Sequence, residues 1–266
     1  MNDTPQRDRR VHLFGVQIDA LTMTQAVRQL QDWIFGSEVT CHYVVTPNVD
    51  HTVMLQERSD LRAAYADASL ILADGAPVVL ASRLLGKTLP ERVTGSDLVP
   101  TLFAAATPER PITVFLLGAA EGVADRAKEN IERRWPAVKV VGTFSPPLGF
   151  EKSDAANEDI IRRVAAAQPD CLVVGLGAPK QELWVHQHHR QLSAKIALCV
   201  GATIDFLAGE KPRAPVWMQK SGLEWVHRLA SEPRRLFKRY ARDAVVFPKI
   251  VYREWRNRTQ NMSSLA

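Results

Sequence analysis

The chain has 266 residues, 46% of them hydrophobic and 24% charged; this is enough apolar material for a buried core and excludes a largely disordered or fibrous protein. Its three cysteines, Cys41, Cys171 and Cys199, lie far apart and mostly within apolar runs, which excludes a disulfide framework or cysteine zinc site and predicts reduced, buried thiols in the cytosol. The net charge of +5 is unevenly spread: residues 209–258 hold thirteen Lys/Arg against five Asp/Glu, a local net of +8.

Residues 1–10 are polar and charged, lack the apolar stretch of a secretory signal, and read as a flexible tail. Beyond them, apolar β-branched runs alternate with helix-patterned stretches, the signature of an α/β fold with a mostly parallel, helix-covered sheet. Strands are predicted at 42–45, 70–73, 112–117, 139–141, 171–174 and 196–200, and helices at 24–33, 50–67, 95–106, 122–135, 155–168 and 180–189. No segment reaches the roughly 18 uninterrupted apolar residues needed to span a bilayer. Charges such as Asp74 and Arg83 break the best candidates, so any membrane contact is expected to be peripheral.

The strand exits are more informative than the strands themselves. The run Leu70-Ile71-Leu72-Ala73 stops at Asp74-Gly75, placing a carboxylate at a strand exit. Ligands of open parallel sheets bind beyond the carboxyl ends of the strands, so Asp74 is a candidate general base, against the plainer reading of an Asp-Gly turn that caps a helix. Thr46-Pro47-Asn48, Gly118-Ala119-Ala120, the block Gly175-Leu176-Gly177-Ala178-Pro179-Lys180-Gln181-Glu182 and Gly201-Ala202-Thr203 end four further strands. Parallel strands would bring Gly118, Gly175 and Gly201 to one edge, where backbone N–H groups at helix starts suit a phosphate.

After Asp205-Phe206-Leu207-Ala208-Gly209 the character changes. Lys211-Pro212-Arg213-Ala214-Pro215 reads as a linker, and Ser231-Glu232-Pro233 as the end of one helix and the start of another. In the last helices Leu236, Tyr240, Phe247, Val251 and Trp255 recur at roughly helical spacing among arginines and lysines, with Pro248 interrupting the stripe. Such a basic aromatic segment either lies on a membrane surface or packs on the body with its charges solvated. The chain thus divides into a tail over 1–10, a catalytic domain over 11–209, and a basic helical appendage over 210–266.

Absent motifs narrow the chemistry. No turn spells G-x-G-x-x-G or G-x-x-x-x-G-K-[ST], which argues against a nicotinamide or flavin site and against a P-loop. No D-x-D triplet offers a metal-held diphosphate. The His186, His188 and His189 group lacks the i, i+4 pair of a helical zinc site and reads as a solvated helix face.

Taken together, Thr46-Pro47-Asn48, Asp74-Gly75, Pro90-Glu91-Arg92-Val93-Thr94-Gly95-Ser96-Asp97, the Gly175 to Glu182 block and Gly201-Ala202-Thr203-Ile204-Asp205-Phe206 resemble the WecG/TagA/CpsF glycosyltransferase family over nearly the whole chain. The resemblance implies a Rossmann-like fold with a carboxyl-terminal appendage that closes the site and touches the cytoplasmic face of the membrane. It implies an inverting transferase, without metal or other cofactor, that moves a sugar from a UDP-sugar to an undecaprenyl-diphosphate-linked saccharide. Asp74 matches the family's proposed base, while Thr46 and Asn48 match residues near the sugar or acceptor. Arg92 matches an arginine that steadies a diphosphate, and Gln181 a glutamine near the donor. Asp205 is either a donor contact or a structural hydrogen-bond acceptor. Arg228 and Arg235 match arginines that hold the acceptor diphosphate; a third such position falls on Lys238, and its neighbour Arg239 is preferred because a guanidinium grips phosphate with two bonds.

A competing reading is a non-catalytic nucleotide-sugar or nucleic-acid binding protein that docks through the basic tail; the family resemblance favours the transferase and no nucleic-acid partner. Exposed apolar surface around the appendage would also support a homo-oligomer. The resemblance leaves the donor open among N-acetylmannosamine, its uronic acid, glucose and similar sugars.

Overall fold

A computed structural model describes residues 10–38 and 40–263, so the expected tail lies outside the described residues except for Arg10. Arg10 opens a strand instead: its Nε donates to Asp19 Oδ1 at 3.0 Å and its Nη2 to the Ser69 carbonyl at 3.1 Å. Strands β1 (Arg10–Leu13) and β2 (Val16–Asp19) form an antiparallel hairpin that the sequence reading missed. Its turn residues Phe14 and Gly15 both have positive φ, 56° and 86°, as tight hairpins require, but Phe14 gives no turn signal. Phe14 is spent instead on burial against Phe247, 5.5 Å between ring centroids.

Next come α1 (Met23–Phe35), β3 (His42–Val45), α2 (Val49–Glu57), α3 (Ser59–Ala66), β4 (Leu70–Ile71), α4 (Ala76–Leu84) and α5 (Gly95–Ala104). The single helix expected over 50–67 is broken at Arg58, whose extended backbone (φ −107°, ψ 107°) serves as cap to both halves. Helix α4 also escaped the sequence reading; it begins immediately after Gly75, with Pro77 in its first turn, where a proline costs no hydrogen bond. The chain continues through β5 (Ile112–Gly118), α6 (Val123–Arg134), β6 (Val138–Phe144), α7 (Asp154–Ala167), β7 (Cys171–Gly175), α8 (Lys180–His188), β8 (Ile196–Cys199) and α9 (Thr203–Ala208). It closes with α10 (Val216–Lys220), α11 (Glu224–Ser231) and α12 (Pro233–Ser263).

Strands β3 to β8 form a six-stranded sheet in the order β4-β3-β8-β7-β5-β6, parallel throughout. Side chains alternate between its faces: on β3, Tyr43 and Val45 enter one core and Val44 the other. The first core takes α2, α3, α4, α7, α8 and α12 together with the hairpin; the second takes α1, α5, α6 and α9. Neighbouring strands β3 and β8 therefore send α2 and α9 to opposite faces, the arrangement that opens a crevice at a parallel sheet's carboxyl edge.

Helix α12 runs along α2, with Phe247 and Ile250 in the first core and Leu236 fully buried. It passes through Pro248 without ending. Most of the stripe read from the sequence is thus the packed face. A second stripe, Phe237, Val245, Tyr252 and Trp255, stands exposed along the same helix.

Candidate active site

Three loops meet at the exit of β4. The Asp74 amide donates to the Pro47 carbonyl at 2.9 Å, and the Val93 amide to the Ala73 carbonyl at 2.9 Å, which fixes the segments after β3, after β4 and before α5 side by side. Gly75 turns the chain with φ 103°, a conformation other residues rarely adopt, and so exposes Asp74 to the crevice. The result is a cleft of about 290 Å³ whose lining includes Asn48, Asp74, Arg92 and Thr94 from the body and Glu224, Arg228, Arg239 and Asp243 from α11 and α12.

Burial and the Glu224 carboxylate push the Asp74 carboxyl up to about 6, while Arg92, Arg228 and His51 pull it back towards ionisation. A carboxyl poised there is ionised at neutral pH and still basic enough to take a proton. Arg92 is held by two acids, Nη1 to Glu224 Oε2 at 3.0 Å and Nη2 to Asp97 Oδ2 at 3.3 Å. Asp97 in turn accepts from Arg213 Nη1 at 2.6 Å. This lattice ties the start of α5 to the linker and to α11, so the appendage helices and the body share one wall.

Beneath Asn48 lies a buried polar chain. Asn48 caps α2, with Oδ1 3.2 Å from the His51 amide and 2.9 Å from His51 Nδ1. His51 Nε2 meets Glu182 Oε1 at 3.2 Å; that oxygen accepts from Gln181 Nε2 at 2.8 Å, and Gln181 Oε1 accepts from the Gly201 amide at 3.1 Å. Burial disfavours charge on His51, but the Glu182 carboxylate outweighs it with help from Asp50 and Asp74, and the His51 pKa is raised. Sequence reading missed His51 and gave Glu182 no role beyond its place in the Gly175 to Glu182 block. The only signal available for His51 was its place three residues after the cap Asn48, in the capping-box position.

The predicted residues therefore divide. Asn48, Asp74, Arg92, Arg228 and Arg239 line the cleft. Thr46 is buried just below, its Oγ1 donating to the Cys199 carbonyl at 3.4 Å. Gln181 is 3% exposed and reaches the crevice through its bond to Gly201. Gly118, Gly175 and Gly201 stand in a row along β5, β7 and β8, packed so closely that a Cβ on Gly118 would come within 2.5 Å of the Gly175 carbonyl oxygen, and one on Gly175 within 2.9 Å of the Gly201 oxygen. Asp205 lies on α9, half-buried, 3.9 Å from Lys211 Nζ; burial raises its pKa against the pull of Lys211. Lys211 also meets Glu232 at 3.4 Å, and Glu232 meets Arg235 at 2.6 Å. Arg235 thus stands on the Asp205 side and outside the cleft lining, and Lys238 is exposed.

The histidine group is packed where a solvated face was expected. His188 is buried, His186 Nε2 lies 2.9 Å from Asp67 Oδ2, and the His189 ring rests on Tyr43 at 5.0 Å. Among the described residues, no group of three or more His, Cys, Asp or Glu side chains is placed to hold a metal ion.

A carboxylate of raised pKa facing guanidinium groups, in the crevice of a parallel sheet, gives this α/β protein a cleft chemically able to take a proton beside an anionic group. Comparison with known sequences specifies the class. The model of the WecG/TagA/CpsF glycosyl transferase family matches residues 11–261, and the chain belongs to that family. Among its relatives are the N-acetylglucosaminyldiphosphoundecaprenol N-acetyl-beta-D-mannosaminyltransferases of Staphylococcus aureus strains MRSA252, MW2 and NCTC 8325, each 30% identical over 227 residues, covering 85% of this chain and 87% of the relative.

Proposed function

We propose that this glycosyltransferase moves a sugar from a UDP-sugar, with inversion and without a metal ion, to a saccharide carried on a polyprenyl diphosphate. The observation that carries the reading is Asp74, held near pKa 6 in a cleft shared with Arg92 and Arg228. Ionised Asp74 takes the proton of an acceptor hydroxyl as its oxygen attacks the anomeric carbon. The bond from that carbon to the UDP oxygen breaks on the opposite side, and its electron pair leaves on the diphosphate. Asn48 and Thr46 shape the floor on which the sugars meet.

The donor belongs to the row of Gly118, Gly175 and Gly201 at the carboxyl ends of β5, β7 and β8, the edge where ligands of open parallel sheets bind, with Gln181 and Asp205 beside it. The acceptor diphosphate belongs to Arg228 and Arg239, with Arg235 receiving it at the outer rim, while Arg92 reaches across the crevice to the donor diphosphate. Cationic side chains rather than a divalent ion offset the leaving charge, as a chain without a D-x-D triplet implies. Transfer in excess EDTA should equal transfer in added magnesium; abolition by EDTA would refute that part of the reading.

Residues 210–266 act as an appendage that closes the cleft and meets the membrane. No helix among the described residues is long and apolar enough to cross a bilayer, whereas Phe237, Val245, Tyr252 and Trp255 form an exposed apolar stripe on a helix rich in Arg and Lys. The names of the relatives make N-acetylmannosamine the first donor to test and lipid-linked N-acetylglucosamine the first acceptor. Mass-spectrometric detection of a lengthened lipid-linked saccharide, with UDP-N-acetylmannosamine compared against its uronic acid and UDP-glucose, tests this directly. No product from any donor would overturn the reading.

A further inference from the structure

Asp243 projects from α12 into the wall of the cleft, one helical turn beyond Arg239. It is 5% exposed, and its Oδ1 is buried with no hydrogen-bond partner. A buried carboxylate oxygen without a donor is costly, and native proteins rarely leave one unless something else supplies the bond. The cation that acts on it most strongly does not supply it: Arg239 turns its Nη1 to Asp50 Oδ2 at 3.5 Å. Burial and the Asp50 carboxylate push Asp243 up to about 6, against Arg239, Arg242 and His51.

The same cleft carries Trp225 and Tyr240, edge to face with centroids 6.3 Å apart. Asp243 offers acceptor oxygens only, so beside the arginines that hold phosphate it suits a neutral group rich in donors. A sugar ring meets both features, since its C–H face packs on aromatic rings and its hydroxyls donate to acceptor-only oxygens.

We propose that Asp243, backed by Asp50, accepts a hydrogen bond from a hydroxyl of the acceptor's terminal sugar and so selects which lipid-linked saccharide is used. The proposal rests on the transferase reading above and makes Asp243 a specificity residue, distinct from the base Asp74 and from the arginines that hold phosphate.

The test compares the full-length protein with Asp243→Ala and Asp243→Asn on N-acetylglucosaminyl-diphosphoryl lipid and its monodeoxy analogues. Loss of a hydrogen bond to a charged group should raise the acceptor KM of Asp243→Ala by about 10- to 100-fold, with the donor KM unchanged. One deoxy analogue should be penalised by a similar factor in the wild type and not at all in Asp243→Ala. Asp243→Asn keeps the shape and can still accept through its oxygen, so it should retain part of the discrimination. Unchanged discrimination in both variants, or donor and acceptor KM rising together, would overturn the proposal. If the wild type transfers no sugar at all, the transferase reading fails separately. Thermal-shift titration with the same lipid analogues then decides Asp243: a stabilisation that depends on one hydroxyl and on Asp243 supports the subsite, and none overturns it.

Discussion

Asp74 turns an ordinary Asp-Gly dipeptide into a basic group only through residues distant in sequence. Its burial and Glu224 raise its pKa to about 6, and Arg92, Arg228 and His51 keep it from rising further. As the proposed base, Asp74 must be ionised, so the rate should fall about tenfold per pH unit below pH 6. His51→Gln removes a group that favours the charged form, so the acid limb should move to higher pH. A pH–rate profile of both proteins checks this; an unmoved limb would remove His51 from the electrostatics of the site.

Stability gives an independent reading of the same carboxyl. A group whose native pKa lies above its usual value near 3.8 binds its proton more tightly when folded, so the native state loses stability as pH rises from about 4 to about 6. Asp74→Asn escapes that loss. Its Tm should exceed that of the wild type above pH 6 and converge with it below pH 4, as thermal melts across that range will report. Such a variant would be more stable and less active, which a structural turn residue would not produce. Asp74 and Asn48 were legible in the sequence because each stands just beyond a strand exit, whereas Arg92 was marked only by the family resemblance. His51 and Glu182 were not, because their partnership across 131 residues leaves no local pattern.

At the scale of elements, strands β3, β5, β7 and β8 were legible from apolar runs bounded by glycine or small polar residues. The hairpin was not, since its turn carries Phe14 in a left-handed conformation that only tertiary packing against Phe247 repays. The break between α2 and α3 falls at Arg58, with no glycine or proline to mark it. Helix α12 shows the limit of periodicity most clearly. Spacing identified one apolar stripe but could not say whether it meets the body or a membrane, and it did not reveal the second, exposed stripe. Phe247→Ala should cost about 3 kcal/mol or more of stability while also widening the cleft that Phe247 helps to line. Denaturant titration measures the first effect; a rise in acceptor KM reports the second.

For the whole molecule, the local charge of +8 over residues 209–258 and the exposed stripe on α12 belong to one surface segment. Co-sedimentation with anionic vesicles should therefore be strong, should weaken with salt, and should fall when Phe237 and Trp255 are both changed to Ser. Displacement by duplex DNA at equal phosphate concentration would instead favour a nucleic-acid ligand. The β3 and β8 exits set the crevice: the glycine row, Asp205 and Arg235 lie on one side of it, and Asp74 with Arg92, Arg228 and Arg239 lies on the other.

The role of Asp74 as base is tested most directly by single-turnover transfer from a UDP-sugar to lipid-linked N-acetylglucosamine, measured for the wild type and for Asp74→Asn with UDP binding followed in parallel. The expected result is a rate lower by about 10²- to 10⁴-fold with UDP affinity within about twofold. An Asp74→Asn protein that transfers sugar at the wild-type rate would contradict it.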